Sequence, residues 1–103
     1  MTSFQKKVYA AVKKIPKGNV ATYKTIAIMI DCNSARAVGQ ALKVNPFAPE
    51  VPCHRVISSD LKIGGFCGTA QGKEIQRKIK LLADEGVRFK NGKLVDEKRV
   101  FTV

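Results

Sequence analysis

Histidine and acidic side chains are scarce in this 103-residue chain: it has one histidine, and 8 aspartates and glutamates against 19 lysines and arginines. The lone histidine, His54, adjoins Cys53 instead of standing at metal-ligand spacing, and no Cys-x-x-Cys pair exists, which argues against zinc. Three cysteines (Cys32, Cys53 and Cys67) are an odd set with no export signal ahead of them, which argues against a disulfide scaffold. Long hydrophobic runs are also missing. Nothing approaches the roughly 18 apolar residues of a membrane helix, and residues 1–7 show no apolar stretch of the secretory type. The glycine-rich Gly64-Gly65-Phe66-Cys67-Gly68 lacks the lysine and hydroxyl residue of a phosphate-binding loop. These absences lead us to expect a protein of the cytoplasm, or of the nucleus in a eukaryote, with no metal and no cofactor.

The shortage of acid leaves a formal charge of +11. A small domain this basic favours a polyanion, usually nucleic acid, although a lysine-rich solvated surface would also account for the number. The length fits one domain over residues 1–103, with a single core and little surplus stability.

Along the chain, Phe4, Val8, Ala11, Val12 and Ile15 recur at helical spacing, with Thr2 and Gln5 as a capping box and Pro16 and Gly18 as the stop. A second helix is expected after Thr22, burying Ile26, Ala27 and Ile30. A third runs from a Ser34 cap to about Val44, closed by Asn45-Pro46. Two short helices across a tight turn suggest a helix-turn-helix, a weak signal alone. A long amphipathic helix is expected over residues 72–84, burying Ile75, Ile79, Leu82 and Ala83. Asn91-Gly92 between two short apolar stretches predicts a hairpin. The fold class is therefore mostly α with a small β element.

Two stretches carry chemistry. Ala35-Arg36-Ala37-Val38-Gly39-Gln40-Ala41 presents a helix face almost without side-chain bulk. This suits close approach either to a ligand or to another helix of the protein. In Val51-Pro52-Cys53-His54-Arg55-Val56, a thiol stands beside a histidine and an arginine, the electropositive setting in which cysteines become nucleophiles. A buried structural cysteine is the plain alternative. If the backbone is extended there, Cys53 and His54 point to opposite sides and need a turn or a bridging water. A histidine acting as base also needs an orienting group, for which Glu85 is a candidate. For Arg55 we prefer a bracing ion pair to a catalytic role.

Taken together, the segments Gly18-Asn19-Val20-Ala21-Thr22-Tyr23, Ala35-Arg36-Ala37-Val38-Gly39, Asn45-Pro46, Val51-Pro52-Cys53-His54-Arg55-Val56, Gly64-Gly65-Phe66 and Glu85-Gly86 resemble the C-terminal domain of the O6-alkylguanine-DNA alkyltransferases. The resemblance covers most of residues 4–88, and its Pro-Cys-His-Arg-Val run is highly specific. It implies a winged helix-turn-helix domain that enters the DNA minor groove, flips the damaged guanine and takes its alkyl group in a single, irreversible turnover. On that likeness, Cys53 is the alkyl acceptor, His54 its base through a water, Glu85 the carboxylate that orients His54, and Asn45 the joint between recognition helix and active-site turn. Tyr23 assists flipping and protonates the departing guanine, and Arg36 fills the vacated space. Thr22, Tyr23, Ala35, Arg36, Ala37, Gly39, Gln40 and Lys43 would form the DNA face. Val51, Pro52, Arg55, Val56, Gly65, Phe66, Cys67 and Gly68 would form the substrate pocket. The implied partner is double-stranded DNA containing O6-alkylguanine, met by a monomer.

The likeness has departures. The family's larger N-terminal domain has no counterpart here, so a domain of the C-terminal type alone is expected. Phe66 stands where many relatives have a tyrosine whose hydroxyl can bond the base, and Cys67 where serine is common. Three other readings remain. An alkyltransferase-like protein would bind the lesion without transfer, although such proteins typically replace the acceptor cysteine. A winged-helix regulator would want base-reading polar side chains where Ala35, Ala37, Gly39 and Ala41 stand. A thiol hydrolase would want a second histidine or an oxyanion loop.

Overall fold

The computed structural model describes residues 2–44, 46, 50–63 and 73–101. Helix α1 (Ser3–Val12) opens on the expected capping box: Thr2 Oγ1 accepts from the Gln5 N–H at 3.0 Å, and the Gln5 side chain accepts from the Thr2 N–H at 2.9 Å. Its regular part stops at Val12, short of the expected Ile15. Tighter bonds from Lys14 to Ala11 and from Ile15 to Val12 then carry Ile15 into the core. Gly18, at φ +91°, sits third in a turn closed by the Asn19 N–H on the Pro16 carbonyl.

Strand β1 (Ala21–Thr22) pairs in parallel with β2 (Val56–Ile57), Ala21 opposite Val56 and Thr22 opposite Ile57. Thr22 then turns cap, accepting from the Thr25 N–H at 3.1 Å to start α2 (Tyr23–Met29). Helix α2 ends in a Schellman motif. The Cys32 N–H reaches Ala27 and the Asp31 N–H reaches Ile28, with Asp31 in the left-handed region at φ 56°. Ser34 caps α3 (Ala35–Lys43) through the Ala37 N–H, completing the helix-turn-helix. Helix α4 (Lys73–Asp84) ends on a second Schellman motif, with Gly86 at φ +86° and the Val87 N–H on the Leu82 carbonyl at 2.8 Å. Strands β3 (Phe89–Lys90) and β4 (Lys93–Leu94) form the expected hairpin. Asn91 and Gly92 are both at positive φ, as the favoured two-residue turn requires. A last tight turn, Glu97–Arg99, leads to Val100, which bridges Val20 in parallel.

The β1–β2 ribbon divides two cores. Ala21 and Val56 face the larger one with Val8, Val12, Ile15, Ile26, Val38 and Leu42 from the first three helices. Val20 and Ile57 face the smaller one with Leu82, Val87 and Leu94. Alternation along each strand produces this split without any long sheet. Tyr9, buried in the larger core, donates its hydroxyl to the Ala41 carbonyl at 2.8 Å and so ties α1 to α3.

Three expected core positions are not fully buried: Ile30 and Ala83 are half-buried, and Ile79 turns outward. Ile79 is 37% exposed, and the buried stripe of α4 runs through Ile75, Lys78 and Leu82 instead. Residues three and seven along a helix share a face with the first as well as residues four along do, and the packing selects the row containing the lysine.

The two Schellman motifs make opposite predictions. Gly86→Ala should destabilise by about 1–2 kcal/mol, since a Cβ is disfavoured at that φ. Asp31→Gly should stabilise by roughly 1 kcal/mol by relieving the same strain. Urea denaturation of both variants checks the pair, and equal midpoints would contradict it.

Candidate active site

Val51-Pro52-Cys53 holds a tight bend before the site begins. Pro52, at φ −79° and ψ 67°, lies at the centre of an inverse γ-turn in which the Cys53 N–H donates to the Val51 carbonyl at 2.8 Å. Proline suits the place because its ring fixes φ near this value and its missing N–H is not needed. The chain then makes one 3₁₀ turn over Cys53–Arg55, closed by the Arg55 N–H on Pro52 and the Val56 N–H on Cys53. The extended backbone considered from sequence is therefore replaced by a helical turn, and the next residue enters β2.

Three consecutive side chains leave this turn for different surroundings. Cys53 is a free thiol, partly exposed and packed against the larger core. His54 is 3% exposed, with Nε2 3.2 Å from Glu85 Oε2. Arg55 grips the same carboxylate with two bonds, Nε to Oε1 at 2.9 Å and Nη2 to Oε2 at 2.7 Å. Its Nη1 reaches the Ile15 carbonyl at 3.0 Å. Glu85 is the residue at which α4 stops, so the Schellman motif at Gly86 aims its side chain back at the turn.

The electrostatics follow from burial and these bonds. Burial holds His54 below its ordinary value, helped by the charges of Arg55 and Lys78 and opposed by Glu85. Burial would raise Glu85, but its bonds to Arg55 and His54 outweigh that and hold it below the usual carboxylate range. Glu85 is therefore an acceptor only, and the neutral imidazole must place its hydrogen on Nε2. Nδ1 is left as the acceptor able to take a proton. Burial also raises Tyr23, with the Cys53 charge adding to the effect, so its phenol keeps its proton at neutral pH.

The other sequence candidates fall in three groups. On α3, Arg36, Gln40 and Lys43 are exposed along one side, and Ala35, Ala37 and Gly39 are half-buried. The Tyr23 ring lies over Gly39, where a Cβ would just touch it at 3.9 Å, so tyrosine and slim helix face adjoin. Thr22 is buried as the α2 cap, and Val51, Pro52 and Val56 are buried under the turn. Asn45, Gly65, Phe66, Cys67 and Gly68 lie outside the described residues. Among the described residues, no group of three or more potential ligands is placed to hold a metal ion. Lys78, fully buried with Nζ on the Val56 carbonyl at 2.8 Å, escaped the sequence reading. A lysine on an amphipathic helix is ordinarily assigned to solvent.

Residues 3–87 match the family described as 6-O-methylguanine DNA methyltransferase, DNA binding domain. The chain belongs to this family. A methylated-DNA–protein-cysteine methyltransferase of Methanosarcina barkeri is 47% identical over 79 residues, 76% of this chain and 50% of that protein. The chain thus spans about half the length of the curated methyltransferases it matches. Among solved structures, Mycobacterium tuberculosis OGT in complex with DNA superposes with a TM-score of 0.72 at 43% identity, over 82% of this chain and 50% of that one. Schizosaccharomyces pombe Atl1, in complex with damaged DNA containing O6-carboxymethylguanine, gives 0.85 at 35% identity over 100% and 98% of the two chains. The methyltransferase family match ends at Val87, while the Atl1 superposition continues through the hairpin and the Val100 bridge.

The pH dependence of stability has a definite sign. His54 and Glu85 both have folded-state values below their unfolded ones, so the unfolded chain binds more protons as pH falls. The contribution of these two groups should be fully present above the ordinary histidine range. It should then fall on acidification, first through the histidine window and again through the carboxylate window. Glu85→Gln should cost on the order of 3 kcal/mol at neutral pH by stripping Arg55 of its counter-ion. It should also flatten the lower step, which denaturant titrations across pH would reveal.

Proposed function

We propose that this protein repairs DNA by moving an alkyl group from the O6 atom of guanine onto Cys53. The observation that carries the reading is the partly exposed Cys53 thiol next to a buried, neutral His54 whose Nε2 is committed to Glu85. His54, through Nδ1 and a bridging water, takes the thiol proton. The sulfur attacks the alkyl carbon as the carbon–O6 bond breaks, and guanine leaves with the bonding electrons. Tyr23, protonated and beside the site, supplies the proton that guanine requires. The product is a thioether, which water does not readily cleave, so one chain repairs one lesion.

The base must leave the stack for its O6 atom to be reached, at a cost of a few kcal/mol. The exposed Arg36-Gln40-Lys43 side of α3, with Ala35, Ala37 and Gly39 beside it, suits the minor groove, and Arg36 fills the gap. The net charge of +11 supports attraction to the phosphate backbone, independent of sequence. The DNA-bound relatives from M. tuberculosis and S. pombe support the same partner. Asn45, Phe66 and Cys67 belong to the proposed site on family likeness alone.

A second reading, lesion binding without transfer, draws on the superposition with S. pombe Atl1 along nearly the whole of both chains. One measurement separates the two. After incubation with a duplex carrying O6-methylguanine, intact mass should show one added methyl per chain, mapped to Cys53 and absent from Cys53→Ala. Tight, lesion-preferring binding with unchanged mass would establish the second reading instead. Arg36→Ala should slow transfer at least tenfold with an unchanged denaturation midpoint, and wild-type rates would remove the gap-filling role.

A further inference from the structure

Two acids crowd the C-terminal end of α4. Asp84 closes the helix, Glu85 follows it, and the last turn holds no basic residue of its own. The backbone dipole makes that end negative, so both acidic side chains oppose it and favour fraying. Yet this is the end that must hold Glu85 still for His54 and Arg55. Arg55 grips the carboxylate from the catalytic turn, but it does not touch the helix backbone that carries it.

The missing cation comes from the far end of the chain. The Arg99 guanidinium lies over the α4 terminus, where a Cβ on Gly86 would stand 3.6 Å from Nη2 and 3.8 Å from Cζ. Its Nη1 donates to the Gly18 carbonyl at 3.1 Å. Gly18 is itself pressed against both partners: a Cβ there would stand 3.2 Å from Arg99 Nη1 and 3.4 Å from the Glu85 carbonyl oxygen. Asp96 stands 3.9 Å from Arg99 Nε, and a loose, half-exposed pair of that kind contributes little. Holding the C-terminal segment in place does not call for this side chain. The Arg99 carbonyl accepts from the Val20 N–H at 2.9 Å and from Asn19 Nδ2 at 3.0 Å, and the Phe101 N–H donates to Val20. Those bonds would form with any side chain at position 99. What arginine adds is a flat cation laid across the end of α4 and tied to the turn before β1.

We propose that Arg99 is a positioning residue for the alkyl transfer: seated on Gly86 and anchored at Gly18, it supplies the positive charge that keeps the end of α4 wound and Glu85 aimed at His54. This rests on the proposed reaction, in which Cys53 is the acceptor and His54 its base. Arg99 touches no substrate and exchanges no proton. It acts on Glu85 from the backbone side, while Arg55 holds the carboxylate. The residue lies beyond Val87, where the family match ends, so part of the support for the site comes from outside that match.

The test compares two variants of the intact chain. Arg99→Met keeps bulk over Gly86 and removes the charge and the donor, whereas Arg99→Lys keeps a charge and a donor. Proton NMR of the free protein reads the His54 Nε2–H held by Glu85. Its exchange with water should be about fivefold faster in Arg99→Met, the size of effect expected from one partly buried charge at a helix end, and near wild type in Arg99→Lys. The Gly86 and Val87 amides, which close the end of α4, should exchange faster in step, with those of α1–α3 unchanged. In single-turnover transfer from O6-methylguanine DNA, the rate at saturating DNA should fall about fivefold in Arg99→Met, with the half-saturating DNA concentration unchanged. A wild-type His54 signal in Arg99→Met, an Arg99→Lys variant no better than Arg99→Met, or faster exchange spread over all helices would overturn the proposal. Should Arg99→Met fail to fold, Arg99→Gln, which keeps a donor and removes the charge, takes its place with the same readouts. A wild-type protein that accepts no methyl sinks the repair reading, while the His54 comparison still decides whether Arg99 positions Glu85.

Discussion

The Glu85 carboxylate is the joint on which the site depends. It takes two hydrogen bonds from Arg55 and a third contact from His54, and Arg55 passes on to the carbonyl at the end of the α1 turn. Three stretches far apart in sequence therefore meet at one anion with little solvent to screen it. Geometry makes the pairing worthwhile, because the guanidinium fork matches the carboxylate edge and leaves few unused lone pairs. The same anion fixes which imidazole nitrogen carries hydrogen. One ion pair thus serves stability and chemistry together.

Around that joint, backbone devices aim the side chains. The Pro52 γ-turn and the 3₁₀ turn after it compress the chain so that Cys53, His54 and Arg55 face different directions. In an extended strand the first and third would have shared a side. Gly86 ends α4 with its left-handed residue and sends Val87 back against Leu82 in the smaller core. The parallel ribbon lies between, its two faces feeding different cores. The sulfur borders the packing of the first three helices, while the carboxylate that holds His54 and Arg55 comes from just beyond the fourth.

Local signals in the sequence were dependable. The Thr2–Gln5 box, the Thr22 and Ser34 caps and the Asn91-Gly92 hairpin all rest on contacts within three or four residues, and each forms as expected. From sequence, Glu85 is one candidate for the group that orients His54, because a histidine base needs such a group and the family likeness has a carboxylate there. Arg55 reads as a brace, and the structure brings all three together. Readings that required distant packing fared worse. Ile79 and Lys78 are equally compatible with a buried stripe, and hydrophobicity alone chose the wrong one. Nor does any local pattern announce that Val100 returns to Val20, or that residues 53–55 coil; both depend on what lies across the ribbon.

The separations within the site carry a consequence for how the molecule is made. His54 meets Glu85 across 31 residues, Arg55 meets Ile15 across 40, and Asn19 meets the Arg99 carbonyl across 80. Such closures come late, after the local helices, because chain entropy must be spent before they form. A growing polypeptide therefore carries His54 and Arg55 without their carboxylate until Glu85 arrives. If the sulfur is spent in one proposed turnover, maturation doubles as a safety catch: the groups that would aim it assemble only once residues far along the chain have been made.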